Sequence, residues 1–336
     1  MMKSLFGDAR LPDRNLALEF CRGTEAAAMS AGRLMGRGDK NAADGAAVNA
    51  MRYMLNTVDM DGIVVIGEGE KDEAPMLFNG EHLGTGKNAA VDIAVDPIDG
   101  TRLTALGISG AISVVAGAPR GTMFNPKTVF YMNKLVVGPE AKDVIDIEAP
   151  VAENIRRVAE ARKKAMGDIT VVVLDRPRHE KLIAEIRAAG ARIKLITDGD
   201  IAGALLTCKL ERGADMLMGI GGTPEAVITA CAIKAMGGNM QGKLWARNDE
   251  ERQKALDAGM DFNKVLTIDD LVCSDDVFFA ATGITDGDFL KGVRYEGERI
   301  YTSSLVMRAK SGTVRYIDAV HSLYKLDKIA GIDYRA

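Results

Sequence analysis

The chain has 336 residues, a length that suits two domains or one large α/β domain and leaves room for a sizeable core. Its 47% hydrophobic and 27% charged residues are ordinary for a globular protein, and a net charge of −4 argues against nucleic acid or an anionic membrane as the main partner. An anionic substrate would need local arginines and lysines, or a metal, to hold it.

Apolar residues at helical spacing predict a first helix over residues 16–35, with Asp13 or Asn15 as its cap, and a second over residues 44–58. Short β-type runs follow at 62–66, 91–95 and 111–115, and alternation over 128–137 predicts further antiparallel pairing. From about residue 150 the character changes. A charged amphipathic helix at 151–166 precedes a strand–helix rhythm, with strands at 169–174, 193–196 and 216–220 and helices at 179–189, 201–210 and 224–236. That alternation predicts a parallel or mixed sheet faced by helices. The tail is β-rich again, at 277–281, 300–308 and 313–319, and nothing local decides which sheet it closes. Two halves are expected, residues 1–150 and 151–336.

Cys21, Cys208, Cys231 and Cys273 form no CxxC pair, which argues against zinc ribbons and disulfide frameworks and fits a reducing compartment. His82, His179 and His321 are equally scattered, so a bound metal would rest on carboxylates, which selects Mg²⁺ or Mn²⁺ over Zn²⁺ or Cu²⁺. Residues 1–14 carry charges and Pro12 where a signal peptide needs an apolar segment. The most apolar long stretch, residues 103–119, is broken by glycines and serines and too short to span a bilayer. A cytoplasmic location is expected.

Asp96-Pro97-Ile98-Asp99-Gly100-Thr101 is the most informative segment. It follows a β-run, so both carboxylates stand at a strand's mouth, where they can converge on one hard cation. Gly100 permits close approach of the backbone to a ligand, and Thr101 and the following N–H groups face the same space. The same residues also spell an ordinary turn. Glu68 follows another strand, and Asp44 lies at the expected start of the second helix. Asp44 serves equally as an N-cap, and Glu68, Glu70, Asp72 and Glu73 as a solvated acidic loop. Ligands of open α/β sheets gather beyond strand carboxyl ends, where these side chains point. A cluster of Asp44, Glu68, Asp96 and Asp99 would repel itself unless Mg²⁺ or Mn²⁺ filled it. Such ions bind a phosphoryl oxygen and acidify a water for attack, with Thr101 orienting or deprotonating that water through a carboxylate such as Asp44.

In the second half, Arg176 and Arg178 flank Pro177 between a strand and a helix and can neutralise phosphate or simply pair at the surface. Asp198-Gly199-Asp200 ends the next strand, where carboxylates can accept hydrogen bonds from sugar hydroxyls. Glu225 begins a helix after Gly219-Ile220-Gly221-Gly222, as a further ligand or as a helix-dipole acid. Pro224 stands where a GxGxxG fingerprint needs its third glycine, which argues against a dinucleotide-binding dehydrogenase.

The Asp96–Thr101 segment with upstream Glu68 resembles the lithium-sensitive, metal-dependent sugar phosphatases. The segments 36–40, 43–48, 66–70, 72–77, 176–179, 198–200, 219–225 and 281–285 resemble, in order, the class II fructose-1,6-bisphosphatases. The resemblance runs from about residue 16 to 321. It implies a layered αβαβα sandwich and metal-dependent removal of the 1-phosphate of fructose 1,6-bisphosphate, as in gluconeogenesis. The implied metal ligands are Asp44, Glu68, Asp96, Asp99 and Glu225, with Asp44, Glu68 and Thr101 catalytic. The implied substrate contacts are Asp99, Gly100, Thr101, Tyr131, Arg176, Pro177, Arg178, Asp198, Gly199, Asp200 and Gly222. Position 99 is Asp where some members have Glu, one methylene longer, and Arg176 offers a fork where others offer the point charge of Lys. Sedoheptulose 1,7-bisphosphate is a second candidate substrate. The extra arginines and aspartates of the second half argue against an inositol monophosphatase, and the complete ligand set against a catalytically silent sugar-phosphate-binding regulator. A homo-oligomer, dimer or tetramer, is expected.

Overall fold

A computed structural model describes residues 14–69, 76–126, 129–209, 213–329 and 331–335. Glu70, Asp72, Glu73, Thr128 and Leu210, which figure in the sequence reading, lie outside the described residues. Helix α1 (Leu16–Gly32) begins where Asn15 accepts a hydrogen bond from the Ala17 N–H, and α2 (Lys40–Leu55) where Asp39 accepts one from the Ala42 N–H. Asp39 therefore caps α2 about a turn ahead of the expected start. Asp44 is not the cap but projects from inside the helix.

Strands β1 (Asp61–Ile66), β2 (His82–Leu83), β3 (Ala90–Asp99) and β4 (Ile112–Pro119) follow, with α3 (Thr101–Leu106) between the last two. The middle of the chain runs β5 (Tyr131–Val137), α4 (Val151–Ala161), β6 (Thr170–Leu174), α5 (Glu180–Ala188), β7 (Arg192–Ile196), α6 (Asp200–Leu205), β8 (Met216–Gly222), α7 (Thr223–Ala235) and β9 (Asn239–Trp245). After α8 (Asp249–Asp257), β10 (Leu266–Thr267) and α9 (Ile268–Leu271) comes the β-rich tail. It contains β11 (Phe278–Gly283), β12 (Arg294–Glu296), β13 (Arg299–Arg308), β14 (Thr313–Ser322) and α10 (Leu323–Ile329).

These strands form two mixed sheets. One is 8-stranded, ordered β12-β13-β11-β4-β3-β1-β2 with β14 on the free side of β13; the other is 6-stranded, ordered β10-β9-β5-β8-β6-β7. The tail closes the first sheet, because β11 pairs with both β4 and β13. β5, which precedes residue 150, pairs with β8 and β9 in the second. The expected halves therefore do not map one to one onto the sheets.

Three apolar clusters stack the layers. Phe20 of α1 and Met51 and Leu55 of α2 pack on Ile93, Val95, Val115 and Phe278 of the first sheet. Ala94, Val114 and Ala116 on its other face meet α6, α7 and the inner face of the second sheet through Met132, Val136 and Leu217. Leu135, Val137, Val171 and Val173 on the outer face then pack against Ile155 and Val158 of α4 and Ile183 and Ile186 of α5. The order is helix, sheet, helix, sheet, helix: the αβαβα sandwich. Helix α7 is apolar nearly all round because it lies between the two sheets. Its alanines and Cys231 keep the sheets close.

The ends of β3 and β1 are irregular. β3 does not stop at Val95 but continues to Asp99, with a register shift between Asp96 and Asp99. Pro97, which has no N–H to give a ladder, sits in that irregularity. Beyond β1, the Glu68 N–H donates to the Leu77 carbonyl at 2.9 Å and the Gly67 N–H to Asn79 Oδ1 at 3.1 Å. A Cβ at Gly67 would lie 2.0 Å from that Leu77 oxygen. Gly67→Ala is expected to lower stability by roughly 1–3 kcal/mol, the usual range for overpacking, in a denaturant titration. An unchanged midpoint would show that the approach of Gly67 to Leu77 is not tight.

Candidate active site

The carboxyl ends of β1, β3, β6, β7 and β8 and the start of β5 open on one cleft of about 480 Å³ between the sheets. Asp44, Glu68, Asp96, Asp99, Gly100 and Thr101 line it from the first sheet and its helices. Tyr131, Arg176, Arg178, Asp198, Gly199, Asp200, Gly222 and Glu225 line it from the second. Every candidate catalytic, substrate-binding and metal-binding residue of the sequence analysis thus lines this cleft except Pro177. That proline is exposed at the first position of the short 3-10 turn carrying Arg178, where its fixed φ shapes the turn, and it is not among the cleft-lining residues.

Local chemistry sets each side chain. Asp96 Oδ1 accepts from the Ile98 N–H at 3.1 Å, and the Thr101 hydroxyl donates to the Ile98 carbonyl at 3.3 Å. Gly100, at φ 100°, turns the chain from β3 into α3. Asp99 Oδ2 reaches across the seam to accept from the Ala202 N–H of α6 at 3.1 Å. Behind the wall, the buried Lys134 of β5 donates to Asp200 Oδ2 at 2.5 Å. Two glycines make room for these acids. A Cβ at Gly221 would lie 2.0 Å from Asp200 Oδ2, and one at Gly222 would lie 1.7 Å from Glu225 Oε2.

The arginines sit on a pinned turn. His179 Nδ1 lies 2.7 Å from the Leu174 carbonyl, while its Nε2 accepts from the Ile220 N–H at 2.7 Å. The second contact assigns the ring proton to Nδ1, and burial lowers the pKa, which favours this neutral form. Arg178 donates from Nε and Nη2 to the Ile220 carbonyl at 3.2 and 2.9 Å, with its guanidinium carbon 5.0 Å from the Tyr131 ring centroid. Arg176 lies 3.8 Å from Asp198.

The acids pay for their crowding in raised pKa values. Burial first, then the Asp44 and Glu225 charges, push Glu68 up to about 7. Asp96 stands well above the carboxylate range through burial, Asp99, Glu225, Glu68 and Asp44, and Asp99 through burial and Asp200. Burial raises Asp44, and burial with Asp200 raises Glu225. Among the described residues no three His, Cys, Asp or Glu side chains stand close enough together to hold a metal ion as placed; the acids ring an open bowl. Their chemistry nevertheless fits a hard divalent cation. All the donors are oxygens, they repel one another, and Glu225 Oε2 is buried with no hydrogen-bond partner.

Sequence reasoning missed Arg247, Phe130 and the buried Lys134. Arg247 and Phe130 line the cleft. β9 and α8, which flank Arg247, were not anticipated, although 239–245 alternates between half-buried and buried residues as a half-buried strand does.

The sequence matches the family described as bacterial fructose-1,6-bisphosphatase, glpX-encoded, over residues 14–321. Among its relatives are fructose-1,6-bisphosphatase 1 class 2 of Escherichia coli (strain K12) and the fructose-1,6-bisphosphatases class 2 of Escherichia coli O6:H1 and Shigella flexneri. Each is 48% identical over 327 residues, covering 94% of this chain and 97% of the relative. The chain, with its carboxylate bowl facing an arginine wall, belongs to the bacterial glpX-encoded fructose-1,6-bisphosphatase family.

Proposed function

We propose that this protein hydrolyses fructose 1,6-bisphosphate to fructose 6-phosphate and phosphate, with Mg²⁺ or Mn²⁺ as cofactor. The observation that carries the reading is the polarity of the cleft. Asp44, Glu68, Asp96 and Asp99 of the first sheet and its helices are joined by Glu225 of α7, while Tyr131, Arg176 and Arg178 line the same cleft from the second sheet, so one part suits cations and a reacting phosphate and another suits a second phosphate. Asp44, Glu68, Asp96, Asp99 and Glu225 would hold the cations, which supply Lewis acidity and make water acidic enough to act as a nucleophile. Thr101, at the head of α3, aims the attacking water and passes its proton towards Asp44. Water oxygen bonds to phosphorus, the bond to the C1 oxygen breaks, and that oxygen takes up a proton. Gly100 and the N–H groups that follow it hold phosphate oxygens. Asp198, Gly199, Asp200 and Gly222 bind the sugar, and Tyr131, Arg176 and Arg178 bind the phosphate that stays.

Free cysteines throughout suit a reducing cytoplasm. No helix among the described residues is long and apolar enough to cross a membrane. The edge strand β14 exposes Val314, Tyr316 and Val320, which favours a homo-oligomer.

Phosphate release from fructose 1,6-bisphosphate is expected with Mg²⁺ or Mn²⁺ and lost in chelator. Asp96→Asn should abolish it while the protein still melts cooperatively. Full turnover in chelator, or in the Asn variant, would reject the mechanism.

Arg178→Ala tests the remote phosphate. Charge-assisted Arg–phosphate bonds are worth roughly 1.5–3 kcal/mol each and act on a group that does not react. KM for the bisphosphate should therefore rise more than kcat falls, with fructose 1-phosphate little affected. Equal losses on both substrates would assign Arg178 to the reacting phosphate or to the fold.

A further inference from the structure

We propose that Arg247 is a further phosphate-binding arginine at the remote end of the cleft, held in position by the buried Glu251, and that it helps set the preference for bisphosphates over monophosphates. This inference rests on the bisphosphatase reading above.

The strand order creates the geometry. β5 lies between β8 and β9, so Tyr131 is paired with Gly222 on one side and with Trp245 on the other. Arg178 approaches the Tyr131 ring at 5.0 Å and is tied to Ile220 of β8. Arg247, just past the end of β9, approaches the same ring at 5.9 Å and lies 4.6 Å from the ring of Phe130. Both arginines line the cleft, so a phosphate near Tyr131 would be bracketed by guanidinium groups from the turn before α5 and from the chain after β9.

Arg247 is exposed but not loose. Its Nε donates to Glu251 Oε2 at 3.0 Å, and its own backbone N–H donates to that oxygen at 2.8 Å. The other oxygen of Glu251 accepts from the Phe130 N–H at 3.2 Å. Glu251 is only 7% exposed and sits in the first turn of α8, where Asn248 caps the helix by accepting from the Glu251 N–H. One buried carboxylate thus fixes the end of β9, the start of β5 and the arginine between them. It also consumes only Nε. Among the described residues neither terminal nitrogen of Arg247 has a protein partner, whereas Arg178 has given up Nε and Nη2 and Arg176 leans on Asp198. Arg247 therefore offers the least committed donors at this end, in the fork that suits two phosphate oxygens. A substrate without the remote phosphate cannot use them.

Arg247→Ala and Arg247→Lys would be assayed with Mg²⁺ on fructose 1,6-bisphosphate and fructose 1-phosphate, with fructose 6-phosphate as competing inhibitor. The Ala variant should raise both KM for the bisphosphate and Ki for fructose 6-phosphate by roughly 10- to 100-fold, the range for losing charge-assisted bonds. Its kcat should hold within about threefold, and fructose 1-phosphate kinetics should not move, as expected for uniform binding of a non-reacting group. The Lys variant, which keeps the charge but not the fork, should fall between. Equal shifts on both substrates, or none in either variant, would overturn the assignment of Arg247 while leaving the bisphosphatase reading intact. Wild-type protein that released no phosphate from the bisphosphate with either metal would overturn that reading, and this inference with it.

Discussion

The burial and mutual repulsion of a set of carboxylates is the constraint around which this molecule is arranged. Glu68, Asp96, Asp99 and Glu225 are drawn to one end of the seam between two sheets, and each is harder to ionise than in water. The fold answers part of this cost. Asp99 leans on the Ala202 N–H, Asp96 on the Ile98 N–H, and Asp200 on the buried Lys134. Glu225 Oε2 receives nothing, and among the described residues no arginine or lysine is paired with Glu68. Unanswered negative charge inside an all-oxygen bowl is what a hard cation relieves.

The layered architecture makes such crowding possible. Strands buried on both faces are held by their ladders and by apolar packing along their length, so their ends are free to carry polar groups without loosening the core. Helix α7 lies between the sheets and delivers Glu225 from its first turn, directly after the glycines of β8. Gly221 and Gly222 are required there because the acids fold back over them. On the opposite wall, His179 pins the turn that carries Arg178, and Glu251 pins the chain that carries Arg247. Both arginines depend on a buried side chain: His179 spends both ring nitrogens on backbone groups, and Glu251 accepts from two backbone N–H groups and from Arg247 Nε.

Much of this was legible in the sequence, because strand-end motifs are local. The β-run before Asp96 and the acids after β1, β7 and β8 pointed to one place once an α/β sheet was inferred. What escaped was whatever depends on distant partners. Lys134 sits in a strand that reads as part-exposed, and its partner Asp200 is 66 residues away. Asp39 and Asp44 are both acceptable caps, and only the hydrogen bond from Ala42 decides between them. Pro97 reads as the end of a strand, yet Asp99 still pairs with Ile112 beyond the bulge. The tail carries ordinary alternation, and its placement in the first sheet is set by pairing with β4, far upstream.

The most direct test is thermal melting of wild type and Glu68→Gln in chelator between pH 5 and pH 8. The Glu68 pKa is raised to about 7, so between the ordinary carboxylate range and that value the folded state binds more protons than the unfolded, and stability falls as pH rises. The Gln variant, which carries no charge to bury, is expected to melt several degrees above wild type at pH 8, with the gap closing towards pH 5. Mg²⁺ should raise the wild-type midpoint more than that of the variant. A Gln variant no more stable than wild type at pH 8 without metal, or a wild type indifferent to Mg²⁺, would contradict the claim that the cation relieves the cost of burying and crowding these carboxylates.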